Sequence, residues 1–143
     1  MRHFALLLTL ATALAACKPA APEPVPLDPP TVTLPDSIQL LAPAAAQALI
    51  DSQPRLQIID CRMEDEYLQG HLPRAYHVNY FHKEETQQRL STLDPTRPVL
   101  IYCSLGTRSR HVAVSLEQLG FKDIALLEGG VHAWLLARLP LTR

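Results

Sequence analysis

Cysteine is scarce in this chain. Cys17, Cys61 and Cys103 are the whole complement of 143 residues, too few for a disulfide framework. An excess of one charge sign is missing as well: 13 basic against 14 acidic residues give a net charge of −1, which excludes the basic surface that nucleic acid demands. The apolar run from Phe4 to Leu14 is too short to cross a bilayer as a helix. The histidines lack metal-ligand spacing, so no metal site is expected, and no internal repeat divides the chain. What remains is 48% hydrophobic and 19% charged, the composition of a globular protein with room for one domain plus extensions.

The N-terminus supplies one extension. Met1-Arg2-His3 is a short basic start, Phe4 to Leu14 is apolar, and small residues follow, which is the layout of a secretory signal. Leu14-Ala15-Ala16-Cys17 resembles the lipobox of bacterial lipoproteins, in which the cysteine becomes the lipidated first residue of the mature chain. The resemblance implies a signal peptide over 1–16, a lipid anchor on Cys17 and a cell-envelope, periplasm-facing location. The rival is cleavage after Ala13-Leu14-Ala15, which leaves a soluble periplasmic protein. Lys18 stands where an inner-membrane retention signal usually has aspartate, which favours the outer membrane.

Seven of the 13 prolines fall between Pro19 and Pro35. Residues 17–35 therefore read as a lipidated cysteine and a proline-rich linker, since proline excludes helix and central strand. A polyproline-like tether gains about 3.1 Å per residue and so holds a domain some tens of ångströms from a membrane.

The folded domain is expected over 36–143. Strands are predicted at Ser37–Leu41, Leu56–Asp60, Ala75–Val78, Val99–Cys103 and Ile124–Leu127. Between them lie a helix opened by Pro43, a short helical turn over Glu64–Leu68 and a mostly polar surface helix over His82–Leu93. A further helix has Val112, Leu116 and Leu119 on one face and Gly120 at its C-terminal cap. A last helix has Val131, Trp134, Leu135 and Arg138 on one face and stops at Pro140. Alternating strands and helices predict an α/β sandwich on a parallel sheet, with ligands at the C-terminal ends of the strands.

Cys103-Ser104-Leu105-Gly106-Thr107-Arg108-Ser109-Arg110 follows the most apolar of these strands. A thiol at a strand end, facing a helix start, meets unpaired N–H donors and the positive end of the helix dipole, which together stabilise a thiolate. Cys103 is the candidate nucleophile. Gly106 lets the backbone curl round the sulfur without a Cβ clash. Ser104 and Thr107 either donate hydrogen bonds to a bound sulfur species or cap the local backbone. Arg62 reads as a substrate-facing cation or as one half of a surface ion pair, and Arg110 as an anion contact or a solvated helix residue. Cys61 is a small core residue or a resolving thiol, and His71 is a hydrogen-bonded structural residue.

Ile59-Asp60-Cys61-Arg62, Glu66-Tyr67 and Gly70-His71-Leu72-Pro73 with Ala75 resemble the first half of a rhodanese domain. The Cys103–Ser109 stretch resembles its active-site loop. Leu119-Gly120-Phe121 with Lys122-Asp123, Leu127-Glu128-Gly129-Gly130 and Ala133-Trp134 resemble its C-terminal half. The resemblance implies a rhodanese-like three-layer sandwich, a central parallel sheet with helices on both faces. It also implies a sulfurtransferase that takes a sulfane sulfur from a small donor such as thiosulfate, carries it as a Cys103 persulfide and passes it to cyanide or a thiol. No cofactor is implied beyond that covalent persulfide. Arg108 either faces the anion or locks the loop by pairing with a carboxylate, Asp60 or Glu66; the family pattern favours the pairing, in which these acids orient the loop. Arg74 stands where the family's turn has glycine, and His77-Val78-Asn79 replaces its usual ending.

Two other classes compete. A phosphatase or arsenate reductase would place its arginine after five intervening residues, whereas four separate Cys103 from Arg108. A non-enzymatic envelope module would hold sulfur, or a partner protein, without turnover.

Overall fold

The computed structural model describes residue 30 and residues 32–143. The signal sequence, Cys17 and most of the proline-rich linker lie outside the described residues.

Among the described residues, ten elements alternate without exception: β1 (Ile38–Leu41), α1 (Pro43–Ser52), β2 (Gln57–Asp60), α2 (Glu64–Gln69), β3 (Ala75–His77), α3 (Lys83–Ser91), β4 (Val99–Tyr102), α4 (Thr107–Gln118), β5 (Ile124–Leu127) and α5 (Gly130–Leu136). The five strands form one sheet in the order β1-β5-β4-β2-β3, and every pairing is parallel. Parallel strands covered on both faces read as continuous apolar runs. β4 and β5 obey this, with all four residues of each buried.

The two sheet faces carry separate cores. Ile59, Ile101 and Leu126 pack on one face with Leu90 of α3 and with Val112, Ala113 and Leu116 of α4. Ile58, Leu100, Tyr102 and Leu127 pack on the other with Ala46 and Ile50 of α1 and with Val131 and Trp134 of α5. The result is the expected three-layer α/β sandwich. Among the described residues, no helix is long and apolar enough to cross a membrane.

Both C-terminal helices close on a left-handed residue. α4 stops at Gln118 because Gly120, at φ 95°, turns the chain. The Gly120 N–H then bonds Glu117 O and the Phe121 N–H bonds Leu116 O, a Schellman closure. Phe121 takes the buried position and Leu119 is left 49% exposed. α5 closes in the same way at Arg138, φ 59°, with Arg138 N–H on Leu135 O and Leu139 N–H on Trp134 O. Leu135, within α5, is exposed rather than part of the buried face, and the helix stops before Pro140.

Arg74 adopts the left-handed conformation that glycine normally supplies, at φ 63°. Its guanidinium donates to Ile50 O at 2.8 Å and Pro54 O at 3.1 Å, at the C-terminal end of α1. The turn is thus kept, and the arginine that replaces glycine caps a neighbouring helix.

Candidate active site

β2 and β4 are adjacent and in register, with Asp60 opposite Tyr102. Side chains alternate along a strand, so Asp60 and Tyr102 share one sheet face while Cys61 and Cys103, one step on, share the other. This alternation sorts the site into two layers.

On the first face lies a buried polar cluster. Asp60 accepts from Arg62 Nη2 at 2.7 Å, from Arg62 Nε at 3.0 Å and from the Tyr102 hydroxyl at 2.7 Å. Arg62 Nη2 also donates to Gly70 O at 2.7 Å, and the Leu72 N–H donates to the Tyr102 hydroxyl at 3.0 Å. Arg62 is 5% exposed, so it forms a buried pair and neither a surface ion pair nor a substrate-facing cation. Asp60 reaches the loop only through Tyr102, the residue before Cys103.

On the second face stands Cys103, buried at the end of β4. The Gly106 N–H donates to its Sγ at 3.1 Å. The Ser109 hydroxyl rests on Gly106 O at 2.9 Å, at the start of α4, and closes the loop behind the sulfur. Hydrogen bonding from the Cys61 thiol pulls the Cys103 thiol down, burial opposes it, and the Ser109 and Gly106 donors add to the lowering. The outcome is a thiol at about 5, ionised at neutral pH. Cys61 moves the opposite way: burial raises it first, and the neighbouring Cys103 sulfur raises it further.

Glu66 of α2 anchors the loop. It accepts from Arg108 Nη1 at 2.8 Å, from the Ser104 hydroxyl and from the Met63 N–H at 3.0 Å. Arg108 Nη2 also donates to Ser104 Oγ at 2.7 Å. Burial alone would raise the Glu66 carboxyl, but the hydrogen bonds from Arg108, Ser104 and Met63 outweigh it and hold it at about 2. Of the two carboxylates that the sequence offered to Arg108, Glu66 takes it and Asp60 takes Arg62. Ser104 is committed to this network.

The remaining loop residues separate. Leu105 is the loop tip, 57% exposed. Thr107 opens α4, half-buried. Arg110 lines a cavity with Leu34, Asp36, Ile38 and Leu40. Gly106 sits at φ 105°, and a Cβ there would meet only Gly129 N at 3.8 Å. Its glycine is therefore required by the left-handed backbone and not by a clash.

The close approach occurs instead at Gly130, where a Cβ would stand 2.3 Å from Cys103 O. The first N–H groups of α5 bond the loop carbonyls, Val131 N to Cys103 O at 2.9 Å and His132 N to Ser104 O at 3.1 Å. Sequence reading assigned Gly130 no part in the loop; the doubled glycine after an apolar strand was the only signal. Phe81 was missed as well. Its ring lies 5.9 Å from the Arg108 guanidinium carbon, and nothing in its local sequence marks it. His71 stacks on Tyr67 at 3.9 Å and its Nδ1 lies 3.2 Å from Tyr67 O, so it is held in the turn. Among the described residues, no group of three or more His, Cys, Asp or Glu side chains is placed to hold a metal ion.

Comparison with known proteins agrees with this geometry. The profile of the Rhodanese-like domain family matches residues 42–137. The chain is 30% identical over 97 residues to the thiosulfate sulfurtransferase GlpE of Vibrio cholerae, covering 68% of this chain and 88% of the relative. It is 35% identical over 77 residues to GlpE of Coxiella burnetii, covering 54% and 69%. Among solved structures, the polysulfide-sulfur transferase homodimer of Wolinella succinogenes superposes with a TM-score of 0.62 at 31% identity, over 74% of this chain and 79% of that one.

Proposed function

The chain belongs to the rhodanese-like domain family, and on that premise we propose that it is a sulfurtransferase that carries sulfane sulfur as a Cys103 persulfide. The observation that carries this reading is the Gly106 N–H on Cys103 Sγ at 3.1 Å, at a thiol lowered to about 5. A nucleophile that is already ionised needs no general base.

The thiolate attacks the outer sulfur of thiosulfate. The S–S bond of the donor breaks, sulfite leaves with the electron pair, and Cys103–S–S⁻ remains. An acceptor such as cyanide then takes the outer sulfur as thiocyanate and returns Cys103 to the thiolate. The loop amides that met the thiolate are the natural donors to the persulfide. Arg62 and Arg108 are bound to Asp60 and Glu66, so backbone dipoles rather than free side-chain cations face the donor. That arrangement suits a less charged sulfane donor better than dianionic thiosulfate, on which turnover is expected to be slow. A phosphate ester would need the Arg108 guanidinium that here holds Glu66 and Ser104.

The domain is further read as tethered to the cell envelope, through lipid on Cys17 and the linker up to residue 35. This rests on the sequence of residues outside those described. A mature chain recovered soluble, without a lipid mass on Cys17, would overturn it.

The central test is thiosulfate:cyanide sulfur transfer by wild type and Cys103→Ser. Thiocyanate formation is expected from wild type only. Equal rates in the two proteins would defeat the mechanism, and no transfer from any sulfane donor, with stable sulfur retained, would favour a carrier module.

A further inference from the structure

Two free thiols lie side by side at the end of β2 and β4. The register pairs Asp60 with Tyr102, and the Cys61 N–H extends the ladder by bonding Tyr102 O at 3.0 Å. Cys61 and Cys103 are therefore the next neighbours across the strands. Both belong to the same core face with Ile59 and Ile101. Neighbouring strands run about 4.8 Å apart, inside the roughly 4.4–6.8 Å Cα separation that a disulfide spans. The Cys61 thiol donates to Tyr102 O at 3.0 Å, the carbonyl of the residue before Cys103, and the two sulfurs interact electrostatically.

We propose that Cys61 is a resolving thiol that attacks the persulfide on Cys103, so that the protein releases hydrosulfide and closes a Cys61–Cys103 disulfide. The inference rests on the sulfur-loading reading above. The step balances without an outside oxidant. Cys61–SH and Cys103–S–S⁻ become Cys61–S–S–Cys103 and HS⁻. The new bond forms between the two Sγ atoms, the bond from Cys103 Sγ to the outer sulfur breaks, and the proton of Cys61 leaves on the outgoing sulfur. A dithiol reductant then returns both cysteines to thiols and completes a cycle whose product is hydrosulfide.

Placement and charge both favour this attack. Cys61 lies on the neighbouring strand and the Gly106 amide reaches Cys103 Sγ from the loop, so the second thiol does not occupy the place of that donor. Loading also moves the negative charge from Sγ to the outer sulfur, one bond farther from Cys61. That relieves the part of the Cys61 thiol's resistance to ionisation that comes from its neighbour. A thiol in this position is more than filler for a small core site.

Mass spectrometry of the reduced protein after thiosulfate, with no acceptor present, tests the proposal. Wild type should gain one sulfur and then lose it together with two hydrogens, releasing close to one hydrosulfide per chain and yielding a peptide linked Cys61 to Cys103. Cys61→Ser, which keeps a hydrogen-bond donor beside Cys103, should hold the added sulfur at least ten-fold longer. Wild type that keeps its added sulfur with both peptides unlinked overturns the resolving role while leaving sulfur loading intact. No added sulfur and no linkage in wild type overturns both. The wild-type peptide map decides the matter even if the variant fails to fold.

Discussion

Gly130 and Cys103 pack so closely that no side chain fits between them: a Cβ on Gly130 would lie 2.3 Å from the Cys103 carbonyl oxygen and 2.7 Å from the Ser104 carbonyl carbon. The nucleophile's own backbone is thus the wall against which α5 starts, and the next two N–H groups of that helix hold the loop carbonyls.

Gly130→Ala should therefore displace the loop. Overpacking costs about 1–3 kcal/mol, and a left-handed φ adds roughly 1 kcal/mol for a non-glycine residue. Urea denaturation should show a loss of at least about 2 kcal/mol, with sulfur loading of Cys103 reduced in the fraction that remains folded. A variant of wild-type stability that loads at the wild-type rate would contradict the packing described.

The Cys103 thiol at about 5 sets a pH signature. Its alkylation rate should be nearly flat above pH 6 and fall by half near pH 5. An ordinary thiol with a pKa of about 8.5 would gain roughly three orders of magnitude between pH 5 and 8. A profile that climbs through pH 8 would refute the lowered thiol.

The Glu66 carboxyl at about 2 makes stability acid-sensitive. Its folded value lies below the ordinary carboxylate range, so between about pH 4.5 and 2 the unfolded chain binds more protons than the folded one. This contribution is complete above about pH 4.5 and is lost as pH falls towards 2. Glu66→Gln should flatten that part of the stability–pH curve. A double-mutant cycle with Arg108→Gln should show coupling of about 1–3 kcal/mol, as for hydrogen bonds to a charged group. Additive losses would mean that the pair does not act as a unit.

The two left-handed arginines should respond differently to glycine. Arg138 is exposed at φ 59°, so Arg138→Gly relieves strain and should stabilise by about 0.5–1 kcal/mol. Arg74 at φ 63° also donates to the carbonyls of Ile50 and Pro54. Arg74→Gly gives up those bonds, so its gain should be cancelled or reversed. Equal stabilisation of the two variants in urea melts would rule out a capping role for Arg74.

Periodicity and chain order were enough to determine the alternating elements, the parallel sandwich and the placement of Cys103 between β4 and α4. These depend on short-range patterns: apolar strands, a loop with one glycine and an amphipathic helix, each readable within a dozen residues. The cap of α4 at Gly120 was readable, but the exposure of Leu119 and Leu135 was not: Phe121 takes the buried place beyond Leu119, Leu135 faces solvent, and the left-handed Arg138 closes α5 before Pro140.

The pairing of charges was decided only in three dimensions. Asp60, Glu66, Arg62 and Arg108 could combine in more than one way on paper. The sheet resolves this by parity, since Asp60 and Tyr102 fall on one face while Cys61 and Cys103 fall on the other. Register between strands forty residues apart is a property of the packed sheet and not of either strand. Asp60 takes Arg62 from two residues on, Glu66 takes Arg108 across the fold, and the register sets the Tyr102 hydroxyl on Asp60 and a second thiol beside the first.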